Sequence, residues 1–200
     1  MNIVPTFEEW LNEQRIFETQ FGSQKVAIFP GRFQPIHLGH IAALEETSKR
    51  FGCPVVPIQI ISKNEKSPFP NRLLEQIGDA VVKEYDFIAG FFIYPPGKVT
   101  VVPQMVKFLR ENGFEAIGMG CGSDRVKSYE PQIKYLNSEK SDVPVSEPFK
   151  LEMVDERIPN GPSGTKVREA LMNDDEQSFK DMVPKSLHKF YKELNKEIKK

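Results

Sequence analysis

A short apolar run leads directly into a segment that carries one arginine and two histidines. The segment extends from Gly31 to His40 and has the order Gly-Arg-Phe-Gln-Pro-Ile-His-Leu-Gly-His. Glycine lets the backbone approach a phosphate closely, Arg32 supplies a forked cationic donor, and a helix that begins here offers unpaired N–H groups. His37 and His40 add donors on adjacent turns. By composition alone, an anion site and a capped helix with surface histidines explain this segment equally well.

A second pattern of the same kind lies nearer the C-terminus, from Ser163 to Arg168. Small hydroxyl residues open a predicted helix there, and a cation follows one turn later. Such a helix start presents hydroxyls and backbone N–H groups to an anion, and Arg168 can clamp the same phosphates. Taken alone, this segment fits a capped helix without a ligand better than it fits a binding site.

The rest of the chain alternates between strand and helix patterns, and these elements must position the two segments. The predicted strands are Lys25–Phe29, Val55–Ile61, Phe87–Tyr94, Phe114–Met119 and Phe149–Val154. The predicted helices cover about 6–21, 38–52, 71–85 and 101–112, with one beginning near 164 and a lysine-rich one from 184. The polar, proline-containing stretch 138–148 is predicted to be a flexible loop.

This alternation predicts an α/β fold, with a Rossmann-like parallel sheet and helices on both faces. We predict an N-terminal helical extension over 1–22, a central domain over 23–183 and a C-terminal lysine-rich helix over 184–200. Ligands of open parallel sheets bind outside the carboxyl ends of the strands. Both anion-binding segments are expected at that edge.

Composition excludes several classes of protein. The 200 residues have a net charge of −1, 39% hydrophobic and 28% charged residues, which is typical of neither a disordered chain nor a basic nucleic-acid binder. Apolar runs are too short for a membrane span and the N-terminus lacks a signal-peptide pattern, so we expect a cytoplasmic protein without membrane binding. Cys53 and Cys121 are expected to be free thiols. The sequence leaves the oligomeric state open, a homo-oligomer included.

The order of residues between Gly31 and His40 resembles the motif of a known superfamily. The run His37-Leu38-Gly39-His40 fits the HxGH signature of the cytidylyltransferase-like nucleotidyltransferases. The longer form GRFQPxHxGH resembles nicotinamide-mononucleotide adenylyltransferases of the archaeal and bifunctional bacterial kinds. This resemblance implies that His37 and Arg32 contact a triphosphate and that His40 helps to stabilise the transition state.

Two further elements of that superfamily have counterparts here. The signature ISxTxxR is matched by Ser163, Thr165 and Arg168, with Pro162 in place of isoleucine. The run from Gly122 to Arg125 resembles the GxD element, whose acidic residue accepts hydrogen bonds from the ribose; a strand-ending turn is the alternative. The implied catalytic residues are His37, His40 and Arg168, and the implied nucleotide- or phosphate-binding residues are Gly31, Arg32, Phe33, Gly39, Gly122, Asp124, Arg125, Ser163, Thr165 and Lys166.

A weaker resemblance concerns the acceptor. The run from Lys66 to Arg72 is similar to an NPFTxxER-like element that binds the acceptor mononucleotide in the archaeal enzymes, but Ser67 stands where asparagine is expected and the spacing to Arg72 is shorter. Phe69 and Tyr94 are candidates for stacking on a base or on nicotinamide, with simple packing as the alternative. The acceptor-binding prediction therefore comprises Phe69, Arg72 and Tyr94.

The activity that the resemblance implies is adenylyl transfer from ATP to nicotinamide mononucleotide, forming NAD and pyrophosphate. Mg²⁺ is expected to be held chiefly by the substrate phosphates, so no residue is predicted as a metal ligand. The alternatives are a cytidylyltransferase that uses CTP with another phosphorylated acceptor, and a non-catalytic nucleotide sensor. The run Gly122–Val126 and the N-terminal segment also resemble nucleotidyltransferases encoded by tailed bacteriophages, which leaves a phage origin open.

Overall fold

The computed structural model describes residues 24–61, 67–94, 101–154 and 161–200. The predicted N-terminal helix lies outside these residues. Among the described residues, every helix is too short or too polar to cross a bilayer.

Among the described residues, five parallel strands form one sheet. They are β1 (Gln24–Gly31), β2 (Val55–Gln59), β3 (Phe92–Ile93), β4 (Phe114–Cys121) and β5 (Lys150–Met153), in the spatial order β3-β2-β1-β4-β5. The order reverses between β1 and β4, because the chain adds β2 and β3 on one side of β1 before crossing to the other. A crevice opens at the carboxyl ends of strands where the order reverses.

Seven α-helices of the described chain surround this sheet. They are α1 (Leu38–Phe51), α2 (Asn71–Glu84), α3 (Val102–Glu111), α4 (Val126–Leu136), α5 (Gly164–Met172), α6 (Glu176–Met182) and α7 (Tyr191–Ile198). A 3₁₀ segment, Lys185–Phe190, joins α6 to α7.

The central strand β1 is buried on both faces. Ala27 and Phe29 join a core with α1, α2, α5 and the C-terminal helices, whereas Val26 and Ile28 join a core with α3 and α4. Side chains alternate along a strand, so an apolar run without polar breaks serves both cores. The α/β prediction with helices on both faces is confirmed.

The strand β4 carries two glycines that let α1 pack closely. A Cβ atom at Gly118 would clash with the Phe51 ring, and one at Gly120 would clash with Thr47 and Phe29. The two glycines therefore let the C-terminal half of α1 pack closely on β4.

Two elements differ from the prediction. The predicted strand 87–94 is reduced to β3 and one bridge between Ile88 and Val55, because the chain pairs with β2 only at its two ends. The helix α4 was absent from the prediction because Pro131 lies inside it. Proline removes one backbone donor from a helix and is typical of a helix end rather than its middle.

The C-terminal tail is part of the core rather than a solvated appendage. Its 3₁₀ segment and α7 bury Leu187, Tyr191 and Leu194. The carboxylate of Glu84, at the end of α2, accepts the backbone N–H groups of Lys185 and Ser186 at 3.2 and 2.9 Å. These bonds join the start of the tail to the helix that it covers.

The stretch 138–148 lacks helix and strand, as expected, but it is anchored at several points. Val143 and Phe149 are buried. The Asn137 side chain accepts the Phe149 N–H at 2.7 Å and donates to the Phe149 carbonyl at 2.9 Å. These bonds hold the two ends of the stretch, and the buried Val143 anchors its middle; the absence of helix and strand agrees with the prediction, and flexibility stays a prediction.

Candidate functional site

A cleft of about 520 Å³ opens at the carboxyl ends of β1 and β4, where the strand order reverses. It receives residues from the three segments that the sequence predicts to bind the nucleotide, which are 31–40, 122–125 and 163–168. Its walls are formed by Phe29, Pro30, Gly31, Arg32, His40, Ile60, Cys121, Gly122, Asp124, Arg125, Tyr129, Gly164, Thr165 and Arg168.

The first wall of the cleft is the loop between β1 and α1. Gly31 and Arg32 line it, and Arg32 is exposed. Phe33 does not line the cleft, because its side chain is 1% exposed and packs edge-on against His40, with ring centroids 4.9 Å apart. The predicted contact of Phe33 with a nucleotide is therefore corrected to a packing role beneath the cleft wall.

The two histidines form a reciprocal cap at the start of α1. His37 is the N-cap residue, with φ −138° and ψ 169°, and its Nδ1 accepts the His40 N–H at 3.3 Å. The His37 N–H in turn donates to Nδ1 of His40 at 3.3 Å. Because both Nδ1 atoms accept, the proton of each neutral ring lies on Nε2. The Nε2–H of His40 is then the donor that this ring offers to the cleft.

Burial keeps both rings neutral. Desolvation and the Arg168 charge lower the pKa of His37 to about 4, and desolvation with the neighbouring His37 holds the pKa of His40 well below its usual range. The rings stack with centroids 3.6 Å apart. Of the pair, only His40 lines the cleft, and His37 is 7% exposed. At neutral pH the pair consists of hydrogen-bond donors rather than cations.

Gly39 brings the first and second segments into contact. A Cβ atom at this position would lie 3.1 Å from the Pro162 carbonyl oxygen and 3.0 Å from Nδ1 of His37. Both approaches are tighter than a side chain normally tolerates. The close packing of α1 against the chain that leads into α5 therefore favours glycine between the two histidines.

The second wall of the cleft is the start of α5. The Ser163 hydroxyl caps this helix by accepting the Lys166 N–H at 3.3 Å, while Gly164 and Thr165 line the cleft. Lys166 lies elsewhere, since its Nζ donates to the Gly161 carbonyl at 3.2 Å and its side chain lines a separate groove between α5 and α6. Thr165 is thus brought to the cleft, whereas Ser163 acts as a cap and Lys166 faces away.

Arg168 connects the second segment to the first. Its Nη1 donates to the Gln34 carbonyl at 3.0 Å, and its side chain lines the cleft beside Arg32. Burial and the Arg32 charge lower the pKa of Arg168. A guanidinium keeps its charge in proteins. Two cations therefore face the same cleft, and their mutual repulsion would be relieved by a bound anion.

The third wall follows β4. Gly122, Asp124 and Arg125 line it, and Arg125 Nε lies 3.5 Å from the Asp124 carboxylate. Both side chains are more than half exposed, and such a pair contributes little to stability. The carboxylate and the guanidinium therefore remain available to a ligand.

Sequence reasoning missed several residues of the cleft. Cys121 and Tyr129 line it without belonging to any predicted motif. Cys121 ends β4, and its position at a strand end was the available signal. Tyr129 follows the Gly122–Arg125 turn on α4, a helix that was not predicted.

The three predicted acceptor residues do not line the cleft. Phe69 is 4% exposed in the α1/α2 core, and Arg72 is exposed in the first turn of α2. Tyr94 is buried in the opposite core, edge-on to Phe108 with ring centroids 5.8 Å apart. Phe69 and Tyr94 lie in the cores on opposite faces of the sheet, which agrees with the packing alternative for both rings rather than with stacking on a ligand.

Known structures share this fold. A protein from Vibrio parahaemolyticus provisionally assigned as a nicotinate-nucleotide adenylyltransferase is similar with a TM-score of 0.54 and 16% identity, over 86% of this chain and 98% of its own. The Plasmodium falciparum nicotinic acid mononucleotide adenylyltransferase complexed with NaAD is similar with a TM-score of 0.55 and 17% identity, over 87% of this chain and 98% of its own.

The sequence matches the model of a known protein family. No curated protein matches the sequence. The model of the family described as cytidylyltransferase-like matches residues 28–170, which span all three walls of the cleft. The chain therefore belongs to the cytidylyltransferase-like family.

Proposed function

We propose that this chain is a nucleotidyltransferase that transfers AMP from ATP to nicotinamide mononucleotide, forming NAD and pyrophosphate. One observation carries the proposal: Arg32, His40 and Arg168 meet at a single cleft, together with the start of α5. These groups, namely guanidinium, neutral imidazole and helix N–H, are three kinds of hydrogen-bond donor to anions. Family membership supports the same reaction class.

The local charge of the cleft fits a polyphosphate. Among its lining residues, Arg32, Arg125 and Arg168 carry positive charge, and Asp124 is the acidic one. The chain as a whole has a net charge of −1. Attraction for a polyanion therefore comes from this local concentration of cations rather than from the overall charge.

The proposed chemistry is a direct displacement. An acceptor phosphate oxygen forms a bond to the α-phosphorus, the bond from that phosphorus to the oxygen bridging to the β-phosphate breaks, and pyrophosphate leaves with the electron pair. The attacking phosphate is already ionised at neutral pH, so the step needs no general base. A histidine with a pKa of about 4, such as His37, suits this scheme because it is neutral at that pH.

Charge stabilisation is then the main contribution of the protein. The His40 Nε2–H and the two arginines beside it would donate to oxygens of the α- and β-phosphates as charge moves onto the leaving group. Mg²⁺ fits as part of the substrate: it prefers oxygen ligands, and the triphosphate supplies them. In the proposal, Mg²⁺ neutralises phosphate charge, and the arginines bind the remaining oxygens.

The choice of ATP and a pyridine mononucleotide rests on the resemblance of the first motif. Proteins named as nicotinate-nucleotide adenylyltransferases share this fold, which supports a pyridine nucleotide but makes the nicotinate form the chief competitor of the amide form. The structure leaves Arg72 exposed at the start of α2. Of the three predicted acceptor residues only Arg72 is exposed, and we assign it to the acceptor at a point outside the cleft lining.

Pyrophosphate release tests the proposal. The protein is incubated with Mg²⁺ and ATP, CTP, GTP or UTP, each alone or with nicotinamide mononucleotide, nicotinate mononucleotide, a phosphorylated sugar or a phosphorylated amino alcohol. We expect release with ATP and nicotinamide mononucleotide, and NAD as the second product. Release with CTP and a non-pyridine acceptor would identify a cytidylyltransferase. Nucleotide binding without release under every condition would identify a sensor.

A further inference from the structure

Gln34 is a buried polar residue that contacts two distant parts of the chain. It is 2% exposed and lies in the loop between β1 and α1. Its backbone carbonyl accepts Nη1 of Arg168 at 3.0 Å, and its side-chain Oε1 accepts the Phe69 N–H at 3.3 Å. Gln34 thus connects Arg168, which lines the cleft, to the segment that leads into α2.

The bond between the Phe69 N–H and Gln34 Oε1 has no substitute in water, because Gln34 and Phe69 are both buried. A buried donor that loses its partner retains the full cost of desolvation, so the Phe69 N–H holds its segment to Gln34. Pro70 and the first turn of α2 follow directly, with Arg72 exposed in that turn. The hydrogen bond to Gln34 therefore holds one point of the chain, Phe69, just before the start of α2.

We infer that Gln34 is a positioning residue that couples triphosphate binding in the cleft to the acceptor-binding start of α2. The inference rests on the proposed function, since it deepens the description of the same site. Arg168 both lines the cleft and holds the Gln34 carbonyl. A triphosphate that fixes Arg168 also fixes the loop at Gln34, and through it the Phe69 N–H.

Such coupling is reciprocal. If a bound nucleotide orders the start of α2, an acceptor bound there must tighten nucleotide binding by the same factor. The reaction benefits because the α-phosphorus of ATP and the attacking oxygen of the acceptor must be held in one geometry. Gln34 touches neither reacting atom in this scheme and acts only through Arg168 and Phe69.

Two side-chain substitutions isolate the Phe69 link. Gln34→Met keeps nearly the same volume but removes the acceptor oxygen, whereas Gln34→Glu keeps an acceptor oxygen in either protonation state. Both variants keep the backbone carbonyl that Arg168 contacts. Melting temperatures of both proteins serve as the folding control.

The measurement is hydrogen exchange at the Leu73 and Leu74 amides, with and without saturating α,β-methylene-ATP. Their partner is the Pro70 carbonyl, at 3.0 and 3.2 Å, which every variant retains. We expect the analogue to slow their exchange in the wild type and in Gln34→Glu, and to leave it unchanged in Gln34→Met. Neither amide bonds to Gln34. Loss of the Phe69 hydrogen bond would therefore change their response to the analogue only if Gln34 transmits nucleotide binding to the start of α2.

Kinetics provide the second measurement. In Gln34→Met we expect the acceptor KM at saturating ATP and the ATP KM at saturating acceptor to rise together by about tenfold, the size of one buried hydrogen bond, because the coupling is reciprocal. Gln34→Glu should restore the acceptor KM. Nucleotide binding in the absence of acceptor should stay within about twofold of wild type, and a loss of about tenfold there would show a general loss of structure and overturn the inference.

Failure of the inference and failure of the proposed function give different results. Calorimetry first establishes whether the wild type binds α,β-methylene-ATP, and an absence of binding would overturn both. Binding with no change at Leu73 and Leu74 in the wild type would overturn the coupling alone, whatever the variants do. Binding with the expected exchange response but no pyrophosphate release would retain the coupling and overturn the enzyme.

Discussion

Nδ1 of His37 accepts the backbone N–H of His40, and Nδ1 of His40 accepts the backbone N–H of His37, at 3.3 Å in both directions. The sequence left two hypotheses open for this segment, a capped helix and an anion site. The structure shows the cap and shows that it orients the Nε2–H groups away from the helix backbone. One pair of rings can thus serve both purposes.

Replacing His40 by alanine tests its donor role. We expect His40→Ala to lower the rate of pyrophosphate release by about two to three powers of ten, because a preorganised donor to the developing charge is lost. Steady-state kinetics measure the change. The control is His188→Ala, since His188 contacts the Lys180 carbonyl and does not line the cleft. A near-normal rate in His40→Ala would refute the site assignment.

Two substitutions at His37 separate capping from chemistry. Asparagine is a strong N-cap residue, so His37→Asn should retain most of the stability of α1, whereas His37→Ala should lose about 1 kcal/mol. Both remove the ring that stacks on His40, with ring centroids 3.6 Å apart, so both should lower the rate by disturbing the position of His40. Urea unfolding and pyrophosphate release are measured on each. If His37→Asn restores the rate as well as the stability, His37 acts only as a cap.

The depressed pKa of His37 makes stability depend on pH. The folded ring has a pKa of about 4 and the unfolded ring about 6.5. Between these values the unfolded chain binds the proton, so the contribution of His37 is complete above pH 6.5 and is lost as the pH falls toward 4. The loss is on the order of 3 kcal/mol.

Urea unfolding from pH 4 to 7.5 measures this loss, and His37→Asn is the matched control. The carboxylates titrate in both proteins, so the difference between the two curves isolates the histidine. We expect wild-type stability to fall more steeply than that of the variant below pH 6.5. Parallel curves would contradict the depressed pKa.

Adding a methyl group at Gly39 should push the two phosphate-binding segments apart. Gly39→Ala places a Cβ 3.1 Å from the Pro162 carbonyl oxygen, and overpacking of this kind costs about 1–3 kcal/mol. We expect lower stability and a lower rate together, read by thermal unfolding and pyrophosphate release. Glu45→Ala, at a partly exposed position of the same helix, is the control. An unchanged Gly39→Ala protein would show that the contact relaxes freely.

The fold was predictable where burial is continuous. Runs such as Val26–Phe29 and Val55–Ile58 are apolar on both faces, and only a central parallel strand buries them fully. The helix α4 was not predictable in the same way, because it buries only Ile133 and Leu136 and contains Pro131. The short β3 depends on pairing with β2 rather than on its own residues.

The site was predictable at the level of motifs and less so at the level of side chains. Arg32, His40 and Arg168 meet at one cleft as their motifs predict. The sequence makes Phe33 and Tyr94 candidates for contact with a ligand, but both side chains are buried in the hydrophobic cores. Exposure of an aromatic beside a loop depends on which neighbours cover it, and a single sequence does not contain that information.

The last prediction compares two cations that lie less than one turn apart on α5. Arg168 lines the cleft and holds the Gln34 carbonyl, whereas Lys166 donates to Gly161 and lines the groove toward α6. We expect Arg168→Ala to reduce kcat/KM for ATP by about a hundredfold or more, because a charge-assisted contact to phosphate is lost. Lys166→Ala should stay within about threefold of wild type, the change expected of an exposed charge near the site. Steady-state kinetics with ATP varied measure both. If Lys166→Ala proves as damaging as Arg168→Ala, the lysine must turn into the cleft when the triphosphate binds, and the wall of the site would extend to Lys166.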